Sequence, residues 1–129
     1  MKALAVTLAL FLLPGVVEAQ KLDCRNPITQ ADLNQCTYQD WQVADAALNA
    51  SYADAVSMAR QMDSYGGIGA EEGLRAAQRA WVAFRDLACE TEGKLAEGGS
   101  MQPMLVSGCM LRLTVLRTDD LLYFAGIND

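Results

Sequence analysis

Residues 77–89 read AQRAWVAFRDLAC, and this stretch decides the fold. Together with Leu74, the residues Ala77, Trp81, Phe84 and Ala88 recur at spacings of three and four, which marks the apolar stripe of an amphipathic helix. Gln78, Trp81, Arg85 and Cys89 follow i, i+3, i+7, i+11, so a second, polar set shares a face beside the first. The helix is expected from about Ala70 to about Ala96. Glu71 and Glu72 stand at its start, where the helix dipole favours anions. Gly73 weakens its first turn, and Gly98-Gly99 ends it.

Upstream, Thr29 to Met62 is free of Pro and Gly and rich in Ala, Leu, Gln and Asp. Thr29 with Asp32 resembles an N-terminal capping arrangement. Trp41, Ala44, Leu48, Tyr52, Ala55, Ala59 and Met62 form its inward stripe, and the glycines of Ser64–Gly69 break it. Downstream, Ser100 is expected to cap a third helix that tolerates Pro103 in its first turn and carries Leu105, Cys109, Leu113, Leu116, Leu121 and Phe124. Nothing alternates as a strand would. The expected fold is all-α: a small antiparallel three-helix bundle, with a short N-terminal turn as the candidate for a fourth element, stabilised by two disulfides.

The four cysteines are Cys24, Cys36, Cys89 and Cys109. Short connections make successive helices antiparallel. Folding back at Gly66–Gly69 and again at Gly98–Ser100 brings Cys89 and Cys109 to nearly one height, leaving Cys24 for Cys36. A bend in the long first helix would instead allow Cys36–Cys89 with Cys24–Cys109. A metal site is disfavoured, because the cysteines are widely spaced and the chain has no histidine.

The first residues explain why cysteines would be oxidised. Lys2, an apolar run from Ala3 to Leu13, and the small-residue pattern Val17-Glu18-Ala19 read as a secretory signal peptide spanning residues 1–19. The run is shorter than the roughly 17 to 25 residues that span a bilayer. No cysteine stands at the cleavage point, so no stable membrane anchor is expected. Residues 20–129 then form a single domain, secreted, in a bacterium most naturally to the periplasm. The leader takes one base and one acid with it, leaving a net charge of −6. Such a surface repels nucleic acid and favours a basic protein partner.

Catalytic equipment is not found. Without histidine there is no Ser-His-Asp or Cys-His pair. Gly66-Gly67-Ile68-Gly69 lacks the lysine of a phosphate loop and follows no strand. Glu71-Glu72, Glu90 with Glu92, and Asp119-Asp120 read as solvated acids, not as a glycosidase pair. No cofactor or metal is expected, and the chain reads as a binding protein, not an enzyme. Asp45, Asn49 and Tyr52 on the first helix, Gln78, Trp81, Arg85 and Asp86 on the second, and Thr114 and Arg117 on the third lie on or beside the apolar stripes. Two readings stand. One is an interhelical network with Arg85 or Arg117 paired to Asp45 or Asp86; the other is a recognition surface anchored by Trp81, Tyr52 and an arginine. Met101, Met104, Leu105 and Met110 are candidates for adaptable apolar contacts, with core packing as the plainer use.

Taken together, Ala44–Tyr52 (ADAALNASY), the block Ala77–Cys89, the turn Gly98-Gly99-Ser100, and Cys109 followed by Thr114 and Arg117 resemble the LprI-like family of lysozyme-inhibitor domains. The resemblance runs from about Cys24 to Leu121. It implies a small exported helical domain whose namesake, a surface lipoprotein, inhibits lysozyme. A basic lysozyme is then the named candidate partner, met by a donor such as Arg85, Arg117 or Ser100. The alternative is a periplasmic module that binds another envelope protein or a small ligand without inhibiting lysozyme.

Overall fold

The computed structural model describes residues 22–127, so the signal peptide read at residues 1–19 lies outside the described residues. Three helices follow one another: α1 (Gln30–Ser64), α2 (Ala70–Gly93), which runs into a single 3-10 turn (Lys94–Ala96), and α3 (Gln102–Phe124). The N-terminal segment contributes a turn closed by the Asn26 amide on the Asp23 carbonyl, not a fourth helix. Disulfides join Cys24 to Cys36 and Cys89 to Cys109, with Cα separations of 5.5 and 5.3 Å. The alternative pairing is thereby excluded.

The start of α1 is fixed by its own sequence. Thr29 is extended, its hydroxyl accepts from the Asp32 amide, and the Asp32 carboxylate accepts in return from the Thr29 amide at 2.9 Å. Helix α2 has no such residue at its cap, because Gly69 stands there with φ 74°. The last turn of α1 supplies the missing acceptor: Asp63 takes the amides of Ala70 at 2.8 Å and Glu71 at 3.0 Å. One carboxylate therefore ends one helix and opens the next, which fixes the angle of the first turn. Ser100 does not cap α3 as expected. The cap position is Met101 in a helical conformation, no side chain caps it, and the Ser100 carbonyl is occupied by the Asn34 side-chain amide of α1 at 2.9 Å.

The most extensive packing is between α1 and α3, which run parallel to each other, with the reversed α2 laid against the pair. Asn34 meets Ser100 near their starts, and Met58 approaches Gly126 near their ends. The inner side of α1 carries Ser51, Ala55 and Ala59 one turn apart, and that of α3 carries Ser107 and Thr114, all buried. Side chains this small let two helices approach closely. The buried centre is Leu48, Ala55 and Leu121, with Tyr52, Leu74 and Trp81 packed around it. Helices α2 and α3 close up at Gly93, where a Cβ would sit 2.5 Å from Val106. A side chain larger than hydrogen has no room there.

Helix α2 is rotated relative to the expected apolar stripe. Phe84 is 60% exposed and Ala77 is also exposed, while Arg85 and Cys89 are buried. The inward face is Leu74, Gln78, Trp81, Arg85 and Cys89: the polar set of the 77–89 stretch. Cys89 must reach Cys109 and Arg85 must reach α1, and these two demands outweigh the burial of Phe84.

Two expectations follow. Replacing Cys89 and Cys109 together by serine should cost about 3 kcal/mol by relaxing a closed loop in the unfolded chain. Replacing Cys24 and Cys36 should cost less globally, since Cys24 is exposed and its release frays only the segment before α1. Thermal melts of the two double variants would order them, and the reverse order would contradict this assignment. The Asp63 carboxyl is held below the ordinary carboxylate range, first by the Glu71 amide and then by that of Ala70. Its contribution is complete above the ordinary aspartate pKa of about 4 and is lost as pH falls through the lowered value. Asp63→Asn should therefore show a shallower loss of stability on acidification than the unaltered protein, measured by urea unfolding across that range.

Candidate functional site

Arg85 is the junction of the polar set. Its side chain is 8% exposed, yet its guanidinium holds Asp45 of α1 at 3.2 Å and Asp86 of α2 at 2.8 Å. It also lies over two tryptophan rings, 5.1 Å from the centroid of Trp81 and 5.7 Å from that of Trp41. The cation thus meets two carboxylates with its donors and lies within cation–π distance of two rings, a combination that suits the forked donors of arginine better than the point charge of lysine. Asn49 extends the cluster by donating to Asp45 at 3.3 Å. Asp45, Asn49, Trp81, Arg85 and Asp86 are accordingly brought together, with Trp41 as a member that the apolar stripe of α1 had hidden.

The other members of the polar set stand apart. Arg117 donates through Nε to Gln78 at 3.0 Å and lies 3.9 Å from Asp120. Tyr52 packs on the core. Thr114 is fully buried, and its hydroxyl has no hydrogen-bond partner among the described residues; neither has the buried indole N–H of Trp41. Both arginines named as donors are internally engaged, and Ser100 is exposed with its carbonyl already taken. Met101 is exposed, whereas Met104, Leu105 and Met110 are half-buried.

An open groove of about 420 Å³ lies between α1 and α2, lined by Tyr52, Arg75, Gln78, Arg79 and Val82. No carboxylate lines it. A larger cavity of about 510 Å³ adjoins it and shares Arg75 and Arg79, but Asp63, Glu71 and Glu72 line that one as well. There Arg79 takes no carboxylate among the described residues, whereas Arg75 is held, together with Arg60: the Glu71 carboxylate takes Arg60 at 3.0 Å and Arg75 at 2.8 Å. These two contacts, Arg60 first, hold its carboxyl below the ordinary range. The sequence carries a signal for the difference. Arg75 has Glu71 and Glu72 one turn behind it, whereas the positions three and four residues from Arg79 are Arg75, Ala76, Val82 and Ala83, none of them acidic. A third groove, about 460 Å³, lies between α2 and α3 beside Ala77, Tyr123 and Phe124 and is mainly apolar. Among the described residues no group of three or more His, Cys, Asp or Glu side chains is placed to hold a metal ion. No helix there is long and apolar enough to cross a membrane.

Residues 24–121 match the model of a family described as lysozyme inhibitor LprI. The chain is also 44% identical over 130 residues to an uncharacterized protein of Rhizobium meliloti (strain 1021), with 94% of each chain covered. No solved structure matches it.

Arg85→Ala removes the ion pairs and the filling between two tryptophans at once. We expect a loss of about 3 kcal/mol, the lower end for a broken buried pair, because Asp45 and Asp86 keep partial access to water. Arg85→Lys should recover less than half of it, since an ammonium cannot fork between two carboxylates and stack as well. Urea unfolding curves of both variants test this; midpoints equal to that of the unaltered protein would show that the cluster does not hold the bundle.

Proposed function

Since the chain belongs to the LprI lysozyme-inhibitor family, we propose that it is an exported, non-enzymatic binding protein of the bacterial envelope that takes a lysozyme as its partner and inhibits it. The observation that carries the reading is the match over residues 24–121, which includes all four cysteines, α1, α2 and all but the last three residues of α3. Electrostatics agree with it. A chain of net charge −6 attracts basic proteins, and steering of that kind raises association rates at low salt. Two disulfides suit an oxidising compartment outside the cytoplasm. A rigid, cross-linked bundle also suits inhibition, because a surface already ordered loses little entropy on docking.

The mature protein, at micromolar excess, should slow the lysis of bacterial cell walls by a basic lysozyme, and added salt should weaken the effect by slowing association. Lysis left unchanged across several lysozyme types would overturn the inhibitor reading. Binding to a different envelope protein without inhibition would replace it.

A further inference from the structure

We propose that the groove between α1 and α2 is where this protein receives a carboxylate of its partner, with Arg79 as the anchoring donor and Tyr52 and Val82 as the apolar wall. The proposal rests on the lysozyme reading above and locates its contact.

The chain has seven arginines. Six of them hold a carboxylate within 4.0 Å: Arg25, Arg60, Arg75, Arg85, Arg112 and Arg117. Among the described residues Arg79 holds none, and it is exposed. To meet an external anion, Arg85 would have to give up two internal ion pairs and its burial against two tryptophans. Arg79 has no such contact to give up among the described residues. Arg75 beside it is kept in place by Glu71, so it adds positive charge to the groove without being the mobile donor. Gln78 is turned inward to Arg117, which leaves Arg79 as the free charged group facing the groove.

The chemistry of the ligand follows from the lining. A guanidinium recognises a carboxylate through two parallel N–H···O bonds, and a tyrosine beside an arginine is the composition favoured at binding hot spots. The overall charge distinguishes a free anion from an anion on a protein. At −6 the molecule as a whole draws in basic partners, so among carboxylate bearers it favours one that is itself basic. A lysozyme meets both conditions: its surface is basic, and its cleft carries the paired carboxylates of glycoside hydrolysis. The acidic body would draw the partner in, and the carboxylate-free groove would meet the acidic cleft.

Arg79→Glu tests the assignment, with Arg25→Glu as a control that changes net charge equally at an exposed site before α1. Arg79 has no partner among the described residues, so the variant should fold, which circular dichroism and a thermal melt would verify. We expect the concentration for half-inhibition of lysozyme to rise at least tenfold for Arg79→Glu and less than threefold for Arg25→Glu. A chitin trisaccharide occupying the lysozyme cleft should also compete with the unaltered protein. Equal losses in the two variants, or no competition by the trisaccharide, would overturn the groove assignment while leaving inhibition intact. An unaltered protein that inhibits no lysozyme would overturn both readings.

Discussion

The guanidinium of Arg85 is the constraint on which the arrangement of this bundle depends. A buried cation is tolerated only when its charge and its donors are answered within the fold. Here the answers come from two helices: Asp45 and Trp41 from α1, Asp86 and Trp81 from α2. Satisfying them fixes the rotation of α2 about its axis and its height against α1. The disulfide four residues later fixes the same helix against α3. A core whose buried centre is only Leu48, Ala55 and Leu121 would specify register weakly by itself. Directional contacts supply what so small an apolar centre lacks.

That constraint also explains which features were legible in the sequence. Helix positions and the Thr29–Asp32 box are local or nearly so, and periodicity with short turns was sufficient for them; the cysteine pairs were narrowed to two arrangements, and the heights of the helices select Cys24–Cys36 with Cys89–Cys109. The orientation of α2 was not local. Trp81 belongs to both stripes of the 77–89 stretch, and hydrophobicity alone favours turning Phe84 inward. The structure turns Arg85 inward because its partners lie forty residues away on α1 and on its own next residue; the polar spacing named this pairing as one of two readings but could not choose it over burial of Phe84. Capping of α2 by Asp63 escaped for a similar reason: the acceptor belongs to the preceding helix, seven residues before the amide it takes. Likewise the inner side of α1 extends beyond the expected stripe, which held Ala55 and Ala59, to Ser51, a small polar residue that apolar periodicity passes over.

Of the residues singled out for function, the strongest by type proved to be those most engaged within the fold. Arg85 and Trp81 have the composition of a binding hot spot, but their surroundings are those of a core. A polar face on a helix of a small bundle is therefore ambiguous until the partners are known. Pairing within the helix was the better guide. Arg75 has acids one turn behind it and is held in place by one of them, while Arg79 has none at three or four residues in either direction.

The acidity of the molecule and the positive groove then become parts of one arrangement. Long-range attraction depends on net charge and orients a partner over distances comparable to the screening length, about 8 to 10 Å at ordinary salt. Final docking depends on the few groups at contact, where water is excluded and a charge-assisted hydrogen bond between arginine and carboxylate is strong. The two need not share a sign. An acidic protein that met an acidic cleft with its prevailing charge would be repelled at the last step, and a wholly basic one would not be drawn to a basic enzyme at all. On the proposed lysozyme reading, a small arginine-bearing groove on an otherwise acidic bundle meets both requirements, and the internal pairing of the other arginines leaves Arg79 on α2 as its donor.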